Sequence, residues 1–166
     1  MSNKLTARKP TYDGVTLVPM GDTNFFTFER GKLYGSNAFN GCVGVIIYGK
    51  SGLLIGHYMW AQGHFGRVPE PRAPEPYRSI PKAAANAIPR ELAGKNLGGG
   101  VVSYIYAPSN LANREAVIAE IKAIVVNAGQ PVPTVKYYTD SGDFRGAGFV
   151  VRPSRLGGMT VDWISA

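Results

Sequence analysis

The chain carries the run GCVGVIIY at residues 41–48, the turn GKSG at 49–52 and the run LLIGHYMW at 53–60. The first run is apolar and rich in β-branched residues without a helical period, which predicts a buried strand. The turn contains two glycines and predicts a reversal into a second, returning strand. We therefore expect a β-hairpin at the centre of the fold.

The register of this hairpin decides which side chains meet. If Tyr48 pairs with Leu53 across the turn, Gly44 lies opposite His57. Cys42 then shares a face with His57 as a diagonal neighbour, with Cα atoms roughly 7–8 Å apart. Gly44 leaves space on that face for a ligand or for the imidazole ring. A slip of one residue would put Cys42 and His57 on opposite faces of the sheet.

The rest of the chain predicts an α+β fold, an antiparallel β-sandwich core with one main packed helix. Residues 111–127 form the predicted helix, because apolar side chains recur there at helical spacing and Ala128-Gly129 ends the pattern. Short turns join most of the predicted strands, which favours antiparallel pairing. Besides the hairpin, these strands cover residues 15–18, 24–30, 101–106, 132–138, 146–152 and 159–164.

The length of 166 residues predicts one domain, at 14–166, preceded by a disordered leader at 1–13. Six of the twelve prolines fall within 66–89. Since proline fixes φ and removes a hydrogen-bond donor, we expect a long surface loop over 66–89, with one or two helical turns around 82–87.

The net charge of +7 permits nucleic acid, acidic protein surfaces or anionic membranes as partners. The basic residues are scattered singly rather than clustered, which favours an unspecialised basic surface over a nucleic-acid site. No apolar run approaches the ~18–20 residues of a membrane span. We expect a protein substrate or partner, with nucleic acid possible but not favoured.

A single cysteine excludes an internal disulfide framework. The first 14 residues are polar and basic, without the apolar segment of a cleavable signal peptide. These features predict action in the cytoplasm, either of the producing cell or of another cell after non-classical export.

Cys42 and His57 together suggest a thiolate–imidazolium pair. A nearby imidazolium lowers the pKa of a thiol, and the same histidine then returns its proton to a leaving group. Its second ring nitrogen needs an acceptor, for which Ser36 and Asn37 in the predicted preceding loop are the side-chain candidates. The alternative is a cysteine that only packs in an apolar strand, which is the commoner situation.

An oxyanion formed at this cysteine would need hydrogen-bond donors. The N–H of Cys42 and the side-chain amide of Asn40 are candidates, and Gly41 lets a substrate approach closely. One cysteine and two histidines are too few for a zinc site of ordinary spacing, so we expect no metal or cofactor. His64 follows a glycine and is expected to be an exposed loop residue.

The hairpin resembles the nucleophile hairpin of CheD, the bacterial chemotaxis receptor glutamine deamidase. The similarity spans about residues 34–64 and 98–164. The same fold and Cys–His pair occur in glutamine-deamidating bacterial toxins that resemble cytotoxic necrotizing factor and Burkholderia lethal factor. The downstream segments that resemble the family are GQPV at 129–132, YTDSG at 138–142 and GGMTV at 157–161.

This resemblance implies a CheD-like fold with Cys42 as the nucleophile and His57 as the base, and no cofactor. It also puts Ser36 where the chemotaxis enzyme has a threonine shortly before its cysteine. The implied activity is deamidation of a glutamine side chain on a partner protein, and a transglutaminase or cysteine peptidase would use the same pair. The alternative is a non-enzymatic basic β-rich module that binds nucleic acid or an acidic protein surface.

Overall fold

The computed structural model describes residues 12–59, 76–111, 113–140, 146–154 and 158–165. Most of the predicted leader, residues 1–11, lies outside this range, as do residues 66–75 of the proline-rich stretch and His64. The described elements are nine strands and two helices, in the order β1 (Val15–Leu17), β2 (Thr23–Thr27), β3 (Leu33–Phe39), β4 (Val43–Tyr48), β5 (Gly52–Tyr58), α1 (Pro76–Leu92), β6 (Val102–Pro108), α2 (Arg114–Asn127), β7 (Thr134–Tyr138), β8 (Ala147–Pro153) and β9 (Met159–Ile164).

The strands form two sheets, which confirms the α+β class. One sheet has the order β1-β3-β8-β9 and the other the order β2-β5-β4-β6-β7. Most pairs are antiparallel, as expected. Both sheets are nevertheless mixed, because β1 pairs with β3 and β6 pairs with β7 in parallel. Strand β2, which lies between β1 and β3 in the chain, belongs to the other sheet, and α2, which lies between β6 and β7, packs on a face of the five-stranded sheet. Each connection is therefore a crossover, which lets the later strand run parallel to the earlier one.

A second helix replaces part of the predicted loop over 66–89. Residues from Pro76 to Leu92 form α1, which includes Pro81 and Pro89. Pro76 opens the helix, where a missing N–H costs little because first-turn N–H groups have no intrahelical partner. Burial of one face outweighs the hydrogen bonds lost at the two internal prolines. That face consists of fully buried side chains at a spacing of four residues: Ile80, Ala84 and Ile88.

Strand β3 occupies a stretch that the sequence predicts as a loop. Residues Leu33–Phe39 include glycine, serine and asparagine, which have low intrinsic strand preference. Pairing with β1 on one side and β8 on the other overrides this local preference. Ser36 and Asn37 therefore belong to a central strand rather than to a loop.

Side chains alternate between two hydrophobic layers along the central hairpin. Val43, Val45 and Ile47 of β4 pack in the same cluster as the buried faces of α1 and α2. Cys42 and Ile46 instead join the cluster between the two sheets. The helices thus cover one face of the five-stranded sheet, and the four-stranded sheet covers the other. Within the described part of the chain, neither helix is long and apolar enough to cross a membrane.

Candidate active site

The hairpin has the register that the sequence predicts. Tyr48 pairs with Leu53, and Gly44 pairs with His57. Cys42 immediately precedes β4 and joins the cluster between the sheets, two residues before Gly44. His57 is fully buried, and Cys42 is 4% exposed. Cys42 and His57 therefore lie on the same face of the sheet, as the register predicts.

A bulge in β3 aims two side chains at this position. Ser36 pairs with Phe149 and Phe39 pairs with Ala147, so β3 carries one more residue than β8 between these pairs. Ala38 within the bulge has a φ of 59°, in the left-handed region that non-glycine residues seldom adopt. Strict alternation would send Ser36 and Phe39 to opposite faces. The extra residue lets both be buried between the sheets.

Ser36 fixes the orientation of the His57 ring. Its Oγ lies 2.8 Å from His57 Nδ1 and donates to the carbonyl oxygen of Val18 at 2.7 Å. Because the hydroxyl hydrogen goes to Val18, Oγ accepts from Nδ1–H. The proton therefore sits on Nδ1, and Nε2 carries the lone pair. Nε2 is buried without a hydrogen-bond partner among the described residues.

Phe39 covers the imidazole ring of His57. The two rings stack with centroids 3.8 Å apart and planes 7° from parallel. A Cβ added at Gly44 would lie 2.9 Å from Phe39 Cζ, so the absence of a side chain at Gly44 makes room for this ring. The space that the sequence leaves for a ligand or the imidazole ring is thus filled by Phe39.

Burial shifts the pKa values of both candidate groups toward their neutral forms. It raises the pKa of the Cys42 thiol to about 11, and the charge of Asp140 adds to the rise. It lowers the pKa of His57 to about 4. A thiol and a neutral imidazole are therefore the forms at pH 7 in this arrangement, and not the thiolate–imidazolium pair that the sequence suggests.

Two hydrogen bonds connect the segment around Cys42 to the end of β7. Tyr138 donates from its hydroxyl to the carbonyl oxygen of Cys42 at 2.6 Å. In the amide orientation that places its N–H groups toward acceptors, Asn40 donates from Nδ2 to the carboxylate of Asp140. The thiol itself lies 3.8 Å from the carbonyl oxygen of Asn40. The Asn40 amide is therefore committed to a carboxylate and does not match the predicted oxyanion donor.

The remaining predicted site residues have local structural roles. Gly41 adopts a φ of 76°, which favours glycine at this turn immediately before Cys42. Asn37 lies half-buried in the β3 bulge, and Ser36 rather than Asn37 contacts the histidine. The sequence does not reveal Tyr138 or Asp140 as neighbours of Cys42, because their contacts join segments almost a hundred residues apart. No local spacing signals such a pairing.

The described residues contain no group of three or more His, Cys, Asp or Glu side chains that could hold a metal ion. A scan against protein-family models finds no match for this chain, and a search of curated proteins finds none either.

Proposed function

We propose that this protein is a cysteine-dependent amidohydrolase that deamidates a glutamine side chain of a partner protein. The observation that carries the proposal is the chain of contacts from Val18 through Ser36 to His57. It holds a proton on Nδ1 and keeps the Nε2 lone pair available on the face of the sheet that carries Cys42. Any buried imidazole needs an acceptor for its N–H, but a histidine that only packed would also pair its second nitrogen, whereas Nε2 has no hydrogen-bond partner among the described residues.

His57 acts in this proposal as a general base rather than as a preformed imidazolium. As Cys42 Sγ bonds to the side-chain amide carbon of glutamine, the thiol proton moves to Nε2. The imidazolium gives this proton to the amide nitrogen, the C–N bond breaks and ammonia leaves. His57 then takes a proton from water, which attacks the thioester carbon. The C–S bond breaks, the sulfur regains its proton, and the substrate side chain is left as glutamate.

The lowered pKa of His57 makes it a weak base before the attack begins. Negative charge that develops on the sulfur raises the affinity of the imidazole for the proton, because opposite charges attract strongly in a poorly solvated site. Ser36 stabilises the imidazolium through Oγ while its own hydroxyl remains bound to Val18. The pair thus becomes ionic only while the substrate is being attacked.

Ammonia release from protein and peptide mixtures tests this proposal. We expect release by the full chain and its loss in Cys42→Ser and in His57→Ala, with the modified glutamines located by mass spectrometry. Ser103→Ala is the matched control, since Ser103 is also buried and has no hydrogen-bond partner among the described residues, but lies on β6. Release that persists in Cys42→Ser would refute the proposal.

The second candidate is a basic β-rich binding module in which Cys42 only packs. The 4% exposure of Cys42 and the raised pKa of its thiol favour this alternative. It predicts that Cys42→Ala changes stability alone and that binding to mixed oligonucleotides or to an acidic protein falls steeply with salt. Salt-independent or undetectable binding would argue against the module.

A further inference from the structure

A groove opens beside the candidate site, between the edges of the two sheets. It has a volume of about 410 Å³, and its lining includes Tyr106, Lys136, Tyr138 and Trp163. Strand β7 ends the five-stranded sheet and β9 ends the four-stranded sheet. We call this feature the β7–β9 groove.

The groove adjoins the segment that holds the candidate nucleophile through Tyr138, whereas Cys42 and His57 themselves do not line it. Tyr138 lines the groove and donates its hydroxyl hydrogen to the carbonyl oxygen of Cys42. Tyr106 and Tyr138 each lie edge-on to Phe39, the ring that stacks on His57. Two layers of aromatic rings, first the two tyrosines and then Phe39, therefore separate the groove from the histidine. A ligand in the groove would contact the side chain that positions the main chain of Cys42.

The chemistry of the lining fits an extended peptide with an acidic side chain. Strands β7 and β9 are each hydrogen-bonded to one neighbouring strand in the described sheets, so their outer edges can pair with an added chain. Lys136 is exposed and has no ion-pair partner among the described residues. It lies two residues from Tyr138 on β7, on the same side of the strand. In a peptide bound here, a carboxylate two residues from the glutamine would pair with the Lys136 ammonium group.

We propose that the β7–β9 groove receives the glutamine-bearing segment of the substrate as an extended chain, with an acidic side chain of that segment against Lys136. The inference rests on the proposed function, because it assigns the substrate class of that same site. The preferred substrate is then an extended segment that carries an acidic residue near its glutamine. Lys136 recognises this segment, and Cys42 carries out the chemistry.

Two synthetic peptides provide the probes. The first is an acetylated and amidated heptapeptide with a central glutamine, a glutamate two residues to each side and valine elsewhere. The second has lysine in place of both glutamates. Binding is followed through Trp163, which becomes the sole tryptophan in a Trp60→Phe chain. Cys42→Ser in the same chain prevents turnover.

We expect the acidic peptide to change Trp163 emission and to bind at least tenfold more tightly than the lysine peptide. Lys136→Glu should weaken the acidic peptide by about threefold to tenfold, as expected for reversal of an exposed charge pair. Added salt should reduce the preference. Lys50→Glu is the matched control, because Lys50 is exposed in the turn between β4 and β5, at the far end of the hairpin from Cys42. It should leave both affinities unchanged.

Equal binding of the two peptides, no change in Trp163 emission with either, or equal effects of the two charge reversals would overturn the groove assignment. Its failure differs from failure of the proposed function. If ammonia release requires Cys42 while Lys136→Glu leaves KM and the charge preference unchanged, the groove assignment is wrong and the enzyme stands. If the acidic peptide binds as expected but the intact chain releases no ammonia from any substrate, the groove remains a peptide site and the enzyme proposal fails.

Discussion

The titration of His57 is the sharpest consequence of its burial. Burial lowers the pKa of this histidine from an ordinary 6.5 to about 4. Between these two values the unfolded chain carries a proton on the residue and the folded chain does not. The free energy of unfolding therefore falls as pH drops through this window, by about 1.4 kcal/mol per pH unit. Above pH 6.5 the stabilisation is fully present, and below pH 4 no more is lost.

The size of the effect follows from the shift. One pKa unit corresponds to about 1.4 kcal/mol, so the whole shift is worth roughly 3 kcal/mol of stability between pH 6.5 and pH 4. That is a substantial part of the ~5–15 kcal/mol by which domains are usually stable. Carboxylates titrate in the same range and contribute their own slope. A comparison with a variant that lacks the imidazole is therefore needed.

His57→Asn supplies this comparison, because an asparagine Nδ2 can replace Nδ1–H as the donor to Ser36 without titrating. Urea unfolding of both proteins at intervals from pH 4 to pH 8 gives the free energies of unfolding. We expect the difference between the two proteins to change by roughly 3 kcal/mol across the window, whatever the constant cost of the substitution. An NMR titration of the His57 ring measures its pKa directly.

A pKa of His57 at or above 6.5 would refute this reasoning. A value of that size means that the imidazolium is stabilised in the resting protein, as a neighbouring thiolate would do. Parallel pH profiles for the wild-type protein and His57→Asn would lead to the same conclusion. The preformed ion pair would then replace the general-base mechanism proposed above.

Three substitutions test the packing around the site. Ser36→Ala should lower the free energy of unfolding by about 2–4 kcal/mol, because His57 Nδ1–H and a buried carbonyl lose their shared partner; a loss below 1 kcal/mol in urea unfolding would contradict the assigned contacts. Gly44→Ala should cost about 1–3 kcal/mol through overpacking against Phe39, and an unchanged thermal midpoint would show that this ring has room to move. Tyr138→Phe should lower the free energy of unfolding by about 1–2 kcal/mol and speed alkylation of Cys42 by iodoacetamide, because the main chain of Cys42 loses a 2.6 Å hydrogen bond. An alkylation rate equal to that of the wild type would argue against a positioning role for Tyr138.

The sequence alone determined the central hairpin and its register. The apolar, β-branched runs and the length of the turn between them are local properties, and they suffice to pair Gly44 with His57 and to put Cys42 on the same face. The strong helical period before Asn127 similarly predicted α2, whose observed start at Arg114 lies three residues later than expected.

Only the tertiary structure decided which groups surround that pair. The β3 bulge, which brings Ser36 and Phe39 to His57, arises from pairing with β8 and has no counterpart in the local sequence. The helix α1 forms across two prolines because burial of its apolar face outweighs local preference. The protonation states also depend on the fold, since a thiol and an imidazole acquire their shifted pKa values only when the two sheets remove them from water.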